Sequence, residues 1–426
     1  MLFNVLDYGA VNDGLTASTA FIQKAIDACE SAGGGKVVVP AGNFVTGTLY
    51  LKDNVELHLE SGSKLIASTD LSDYNDVDLY PQNSSSENEL WWGKHLILAL
   101  EKTNVSVTGF GEIDGRAEFF YQKPKKYPFM TGYLWKDGFA SAKDKEKRRP
   151  GQLICFIECK HVRVQDITVK NATCWSCFLH GSEYVQVRGI KVFNHKCHAN
   201  TDGIDIDCCR FVTISDCIID TGDDAIAVRC NSLKLKNPKP CEYVTITNCS
   251  FSVSVCGIRF GVGQGIIRNV RVSNITMERA GVPFLLQTRY GKSCLAHISD
   301  IGISGVNCAD AGYPFRILGP VGSIKRVSIS DMRIKGVASV KIIAEGECEI
   351  KDIAIKDVDI YLSNEPEGTI FTTEKLLERG SYAIEIENTE GVTLENVRVI
   401  SDKLVGWDGN FKEKNNVKLN VKNCDL

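Results

Sequence analysis

One phrase restricts how this chain can fold more than any other feature: two short alternating strands joined by a single small polar residue. It reads VRVQDITVKNA from Val162, VQVRGIKVFNH from Val185, VTISDCIIDTG from Val212 and VTITNCSFSVS from Val244. It returns from Val270, Ile298, Val327 and Val392. Successive starts from 162 to 327 lie 23, 27, 32, 26, 28 and 29 residues apart. Alternation with a period of two makes half-buried strands. A repeat of this length makes units that bury their apolar faces only on one another. Propeller blades need about 40 residues, and leucine-rich repeats need a Leu/Asn consensus that is missing here. The expected fold is all-β, a single-stranded right-handed parallel β-helix with one coil per repeat and variable loops.

A solenoid grows along one dimension, so 426 residues need not divide into the two or three domains that length alone suggests. Eleven prolines and no low-complexity tract leave no linker, and the expectation is one domain over 1–426. Within a cap region over 1–50, Ser18 to Ala32 carries Phe21, Ala25, Ile26, Ala28 and Cys29 at helical spacing, ended by Gly33-Gly34-Gly35. A helix there covers the first open strand edge. Two insertions break the repeat, at 72–92 and 115–150. Both are aromatic, with Tyr74, Tyr80, Trp91 and Trp92, then Phe119, Phe120, Tyr121, Tyr127, Phe129, Tyr133 and Trp135. Loops long enough to leave a solenoid wall usually shape a site.

Charge and cysteine usage narrow the function classes. The chain is −4 overall, yet 115–150 holds ten Lys/Arg, among them Arg148 and Arg149, against four acids. That local excess suits an anionic substrate. Twelve of the 17 cysteines fall between Cys155 and Cys256. The opening residues have no basic n-region, and no apolar run reaches membrane-spanning length. A cytoplasmic, reducing setting is expected, with thiols serving as small buried hydrophobes. Cys174 and Cys177 form a C-x-x-C without a second pair, and His195, Cys197 and His198 lack a partner cluster. Gly33-Gly34-Gly35 is not followed by Lys-Ser/Thr, which excludes a phosphate loop of that kind. Neither metal nor cofactor is expected, and the expected partner is an oligosaccharide or polysaccharide, with no nucleic acid and no membrane. Oligomeric state is left open.

Two acidic segments carry the chemistry: Asn200-Thr201-Asp202-Gly203-Ile204-Asp205-Ile206-Asp207 and Gly222-Asp223-Asp224-Ala225-Ile226-Ala227-Val228-Arg229. Asp202 and Asp223 are 21 residues apart, one short coil, so the spacing stacks them at about 4.8 Å. Three carboxylates so close repel, and at least one keeps a proton near neutrality. That supplies the acid and base of glycoside hydrolysis. With Ile204 and Ile206 inward, Asp205 and Asp207 face out. Arg229, Arg259, Leu285, Gln287 and Arg289 face out on the following coils and read as a cleft floor. His180, one coil before Asp202, is a further candidate, as is Asn200.

Here the sequence resembles the polygalacturonase family of pectin hydrolases, glycoside hydrolase family 28, as a divergent member. Two family motifs stand intact, Asn200-Thr201-Asp202 and Gly222-Asp223-Asp224. The resemblance implies inversion at the anomeric carbon without a cofactor. By position it makes Asp223 the general acid and gives water activation to Asp202 and Asp224. Two motifs depart. Gly-His-Gly is replaced by Val255-Cys256-Gly257, and Arg-Ile-Lys, which binds the substrate carboxylate, by Leu285-Leu286-Gln287. Either Arg259 and Arg289 replace the lost charges, or the sugar is neutral, such as rhamnose or galactose.

The leading expectation is an exo-acting hydrolase on galacturonate- or rhamnose-containing oligosaccharides. A lyase binding Ca²⁺ through Asp205 and Asp207, and a non-catalytic carbohydrate-binding solenoid, are the alternatives.

Overall fold

The joining residue of each repeat sits in the left-handed region, with φ of 63° at Asp166, 61° at Asp216, 55° at Asn248, 54° at Asn274 and 51° at Asp331. Asn and Asp tolerate that conformation because their short side chains bond locally, and Gly189 and Gly305 fill the same place without a Cβ. These residues stack from coil to coil. Asn274 Nδ2 donates to Asn248 Oδ1 at 3.3 Å, and Asn248 Nδ2 to Asp216 Oδ1 at 3.4 Å. The turn that the sequence marks with one polar letter is therefore also a hydrogen-bonded ladder.

The structure, a computed structural model, describes residues 1–75, 94–122, 134–135, 149–233, 235–253, 255–291, 294–363, 371–372, 380–401 and 407–426. Strands of successive coils pair in parallel. Val162, Val185, Val212, Val244 and Val270 form one inward column of the sheet built from the repeats. A second parallel sheet takes one strand from each coil, including Ile154–Ile157, Cys177–His180, Ile204–Asp207, Ile226–Arg229, Cys256–Gly261, Val282–Gln287 and Arg316–Gly319. Its inward residues, such as Phe156, Leu179, Ile206, Val228, Phe260 and Leu286, fill one continuous core with the valine columns. This is a right-handed parallel β-helix.

The first coil is capped by a helix, Thr19–Ser31. It buries Ile22, Ala25, Ile26 and Cys29. Of the residues placed on the apolar face by spacing, Ala25, Ile26 and Cys29 are buried, Ala28 lies at the margin, and Phe21 is exposed while Ile22 takes the buried place. The insertion over 115–150 leaves and returns at the end of the second sheet where its strands begin. Leu134–Trp135 within it pairs antiparallel with Phe371–Thr372, which belongs to the segment leading into Tyr382–Glu387. Tyr80, Trp91, Trp92, Tyr127, Phe129 and Tyr133, with most of the basic run, lie outside the described residues. Among the described residues no helix is long and apolar enough to cross a membrane.

Candidate active site

The second sheet pairs Ile204 with Ile226, a coil of 22 residues. Asp202 is thus level with Asp224 rather than with Asp223, one position away from the stacking that the 21-residue spacing suggested. The ladder continues through this level, where Gly203 N donates to Asp224 O at 2.9 Å and Ser176 N to Asp202 O at 2.8 Å. Asp223 falls beside Asn200, whose backbone N–H donates to Asp223 Oδ2 at 2.8 Å. Asn200 is left-handed, with φ 59°, and only that turn aims its N–H at the acid. Thr201 ties the same corner through Oγ1 to His198 O at 2.9 Å. Gly222 is required by crowding: a Cβ there would meet the carbonyl oxygens of His195 and His198 at 2.5 Å. Asn200, Thr201 and Gly222 therefore each have a local mechanical reason.

One carboxylate oxygen from each of Asp202, Asp223 and Asp224 lies within 4.8 Å of the others. All three are nearly buried, at 5%, 7% and 3% exposure. Burial and then the Asp224 charge push the Asp223 carboxyl up to about 7, opposed by the Arg259 guanidinium and the Asn200 N–H. Burial and then the Asp223, Asp205 and Asp224 charges push Asp202 well above the usual carboxylate range. Asp202 Oδ1 has no hydrogen-bond partner among the described residues. Asp224 is instead gripped by Arg259, Nε on Oδ2 and Nη2 on Oδ1 at 3.2 Å, and its Oδ1 also accepts the Cys256 N–H at 3.0 Å. The cluster holds carboxyl groups able to give and to take a proton, side by side.

The outward column proves to be covered. Asp205 and Asp207 are buried under Arg229, whose Nε lies 3.2 Å from Asp207 Oδ2 and whose Nη1 lies 3.7 Å from Asp205 Oδ1. Arg229 also lies 4.4 Å from the Trp175 ring centre. A floor for sugar was expected there; the three residues form an internal ion-pair cluster, because other parts of the chain lie over this face. His180 is fully buried too, stacked at 5.5 Å on Phe178 and bonded through Nε2 to Asn231 O at 3.0 Å. Gln287 ends the strand Val282–Gln287 and Arg289 lies beyond it, roughly 17 and 23 Å from Val282 at the level of the acids, at about 3.3 Å per residue. Arg289 Nε donates to Gly291 O at 3.2 Å. Of the outward arginines only Arg259 reaches the acids, and it faces Asp224 rather than an open surface.

The positions of the two lost motifs are not empty. Cys256 and Leu285 are buried with Val255, Val282, Tyr313, Val337 and Ala338 in an apolar cluster separate from the main core. A second outward cluster, Leu98, Cys155, Ile157, Cys174, Trp175 and Phe178, occupies the coils before the acids. The acids lie between the two.

Arg149 and Tyr121 are site residues that motif reading missed. They root the two ends of the 115–150 insertion onto the same pair of carbonyls. Tyr121 Oη donates to Thr173 O at 2.9 Å and Ala199 O at 2.6 Å. Arg149 Nη1 donates to the same two at 2.5 and 3.2 Å, and Nη2 to Asn200 Oδ1 at 3.2 Å. His198 stacks at 4.1 Å on Tyr121 and at 4.5 Å on His195, so these histidines form an aromatic stack. His180, Asp207 and Cys208 offer ligand atoms within 4.8 Å of one another. Asp207 Oδ1 there already accepts Asn231 N at 2.6 Å while Oδ2 faces Arg229, which opposes a cation.

Residues 29–360 match the family described as Glycosyl hydrolases family 28. The chain is 30% identical over 232 residues to a probable polygalacturonase of Vitis vinifera, a match covering 53% of this chain and 44% of that protein. It is 28% identical over 258 residues to an exo-poly-alpha-D-galacturonosidase of Dickeya chrysanthemi, covering 53% and 41%. The matched stretch is thus under half the length of these relatives. The family 28 exopolygalacturonase of Yersinia enterocolitica superposes with a TM-score of 0.73 at 18% identity, covering all of this chain and 78% of that one. A hyperthermoactive exopolygalacturonase of Thermotoga maritima gives 0.70 at 24% identity, covering 94% and 92%. With the family match spanning most of the repeats and both acidic motifs, this chain belongs to glycosyl hydrolase family 28.

Proposed function

We propose that the protein is an exo-acting glycoside hydrolase that cleaves pectin-derived oligosaccharides with inversion. The observation that carries the reading is the buried cluster in which Asp223, held up to about 7, stands within 4.8 Å of two further carboxylates. Asp223 protonates the glycosidic oxygen as the C–O bond breaks, while a neighbouring carboxylate takes a proton from the attacking water. The carboxyl groups are closer than the roughly 6.5–9.5 Å usual for inverting glycosidases. The inversion therefore rests on the family, and the anomer released is to be read directly by proton NMR.

Exo action is supported by the two outward clusters, which occupy the sheet face on both sides of the acids along the solenoid. A long polymer lying across many coils meets packed side chains there, whereas a chain end needs only the space between. The substrate is taken to be galacturonate- or rhamnose-containing and short. A reducing compartment is the proposed setting, supported by the 17 cysteines, most of them buried. The Ca²⁺-lyase alternative loses its ligands, since Asp205 and Asp207 are committed to Arg229.

Incubation with oligogalacturonides and with rhamnogalacturonan oligosaccharides, followed by product sizing, tests the reading. Monosaccharide or a single short product released from the start supports exo action; mixed-length fragments from polymer overturn it. Asp223→Asn is expected to lower kcat at least about 100-fold, and full activity in that variant overturns the catalytic role.

A further inference from the structure

Three buried carboxylates within 4.8 Å cannot all ionise without a compensating positive charge. Arg259 supplies one. It projects outward from Cys256–Gly261, one coil after Asp224, and holds both oxygens of that carboxylate. The guanidinium and the carboxylate are both nearly fully buried, so water and salt do little to weaken the pair. Where the family motif carries a histidine, this chain has Cys256. That residue gives Asp224 its backbone N–H, while it packs in the apolar cluster with Val282, Leu285 and Tyr313. The charge beside Asp224 comes instead from three residues further along the same strand.

We propose that Arg259 is the positioning residue of the acid cluster: by holding both oxygens of Asp224 it leaves the exchange of the catalytic proton to Asp202 and Asp223. The proposal rests on the glycoside-hydrolase reading and divides the roles within it. With both Asp224 oxygens engaged, the open carboxylate is Asp202, whose Oδ1 has no partner among the described residues. In one turnover the Asp223 proton goes to the departing glycosidic oxygen. The water oxygen bonds to the anomeric carbon, and the water proton goes to Asp202. The two acids end with the proton on Asp202 and reset by passing it back to Asp223, directly or through solvent, so atoms and charge balance.

The test compares wild type, Arg259→Gln and Arg259→Lys by pH profiles of kcat and kcat/KM, and by carbon-13 NMR titration of aspartate carboxyls. Asp202→Asn, Asp223→Asn and Asp224→Asn assign the three signals. Arg259→Gln is expected to lose at least tenfold in kcat at the wild-type optimum. Its acidic limb is expected to move up by at least one pH unit, as Asp224 joins the groups competing for the proton. Arg259→Lys keeps the wild-type profile with a smaller loss. In the titration, the Asp224 signal of the wild type is expected to change apart from those of Asp202 and Asp223, and in Arg259→Gln to change together with them. A folded Arg259→Gln with normal melting and an unchanged pH profile overturns the proposal, as does an Asp224 that titrates with the other two in wild type. If wild type cleaves no pectic glycan, the hydrolase reading fails, and the titration still decides the role of Arg259.

Discussion

Asp223 links the chemistry to stability. Its carboxyl is held up to about 7 in the folded protein by burial and by Asp224, against an ordinary value near 4 when unfolded. Between those values the folded state binds more proton than the unfolded state, so unfolding free energy falls as pH rises from about 4 to about 7. The stabilising proton is fully present below that window and lost above it. Asp223→Asn cannot ionise, and it is expected to melt higher than wild type at pH 8, by an amount on the order of a few kcal/mol, with little gain at pH 4. Calorimetry at the two pH values checks this; an equal gain at both would mean that proton linkage is not the cause. The acids were legible because their motifs are contiguous. Arg149 was not, since its acceptors on Thr173 and Ala199 are 24 and 50 residues away and meet it only once the coils stack.

At the scale of the element, the turn that joins the two strands of a repeat rests on one left-handed residue, such as Asp216, Asn248 or Asn274, and the sequence shows it plainly. The cost of that conformation for an ordinary L-residue is about 1–2 kcal/mol. Asn274→Ala is expected to lose about that much, plus its bond to Asn248, while Asn274→Gly keeps the turn and loses only the ladder bond. Urea midpoints for the two variants separate the terms; equal losses would put the whole effect in the hydrogen bond. Strand alternation also assigned inward and outward faces correctly for Ile204, Asp205, Ile206 and Asp207. It is silent about what lies over the outward face. Asp205, Asp207 and Arg229 were therefore read as an open floor, although they are buried. A period of two reports which side of a sheet a residue takes, not whether water reaches that side.

For the whole molecule, an open solenoid has ends that must be covered. The helix Thr19–Ser31 does this by inserting Ile22 and Ile26 into the core beside Val5, Val37 and Leu49. Ile26→Asp places an unpaired carboxylate there, at a cost of several kcal/mol, and it is expected to expose the first edge. Light scattering should then show self-association; a variant that stays monodisperse with unchanged melting would remove the capping role.

The sequence by itself determined the β-helix, its capping helix and the three carboxylates, because each is written in local periodicity or in a contiguous motif. Only the tertiary structure decided that the coil is 22 residues long here, so that Asp202 pairs in level with Asp224. It alone placed Arg259 on Asp224, put Cys256 and Leu285, two positions of the lost motifs, into one apolar cluster, and brought both ends of an insertion to one pair of carbonyls. The physical reason is that register and burial are set by contacts between coils, and those contacts join residues that no local pattern connects.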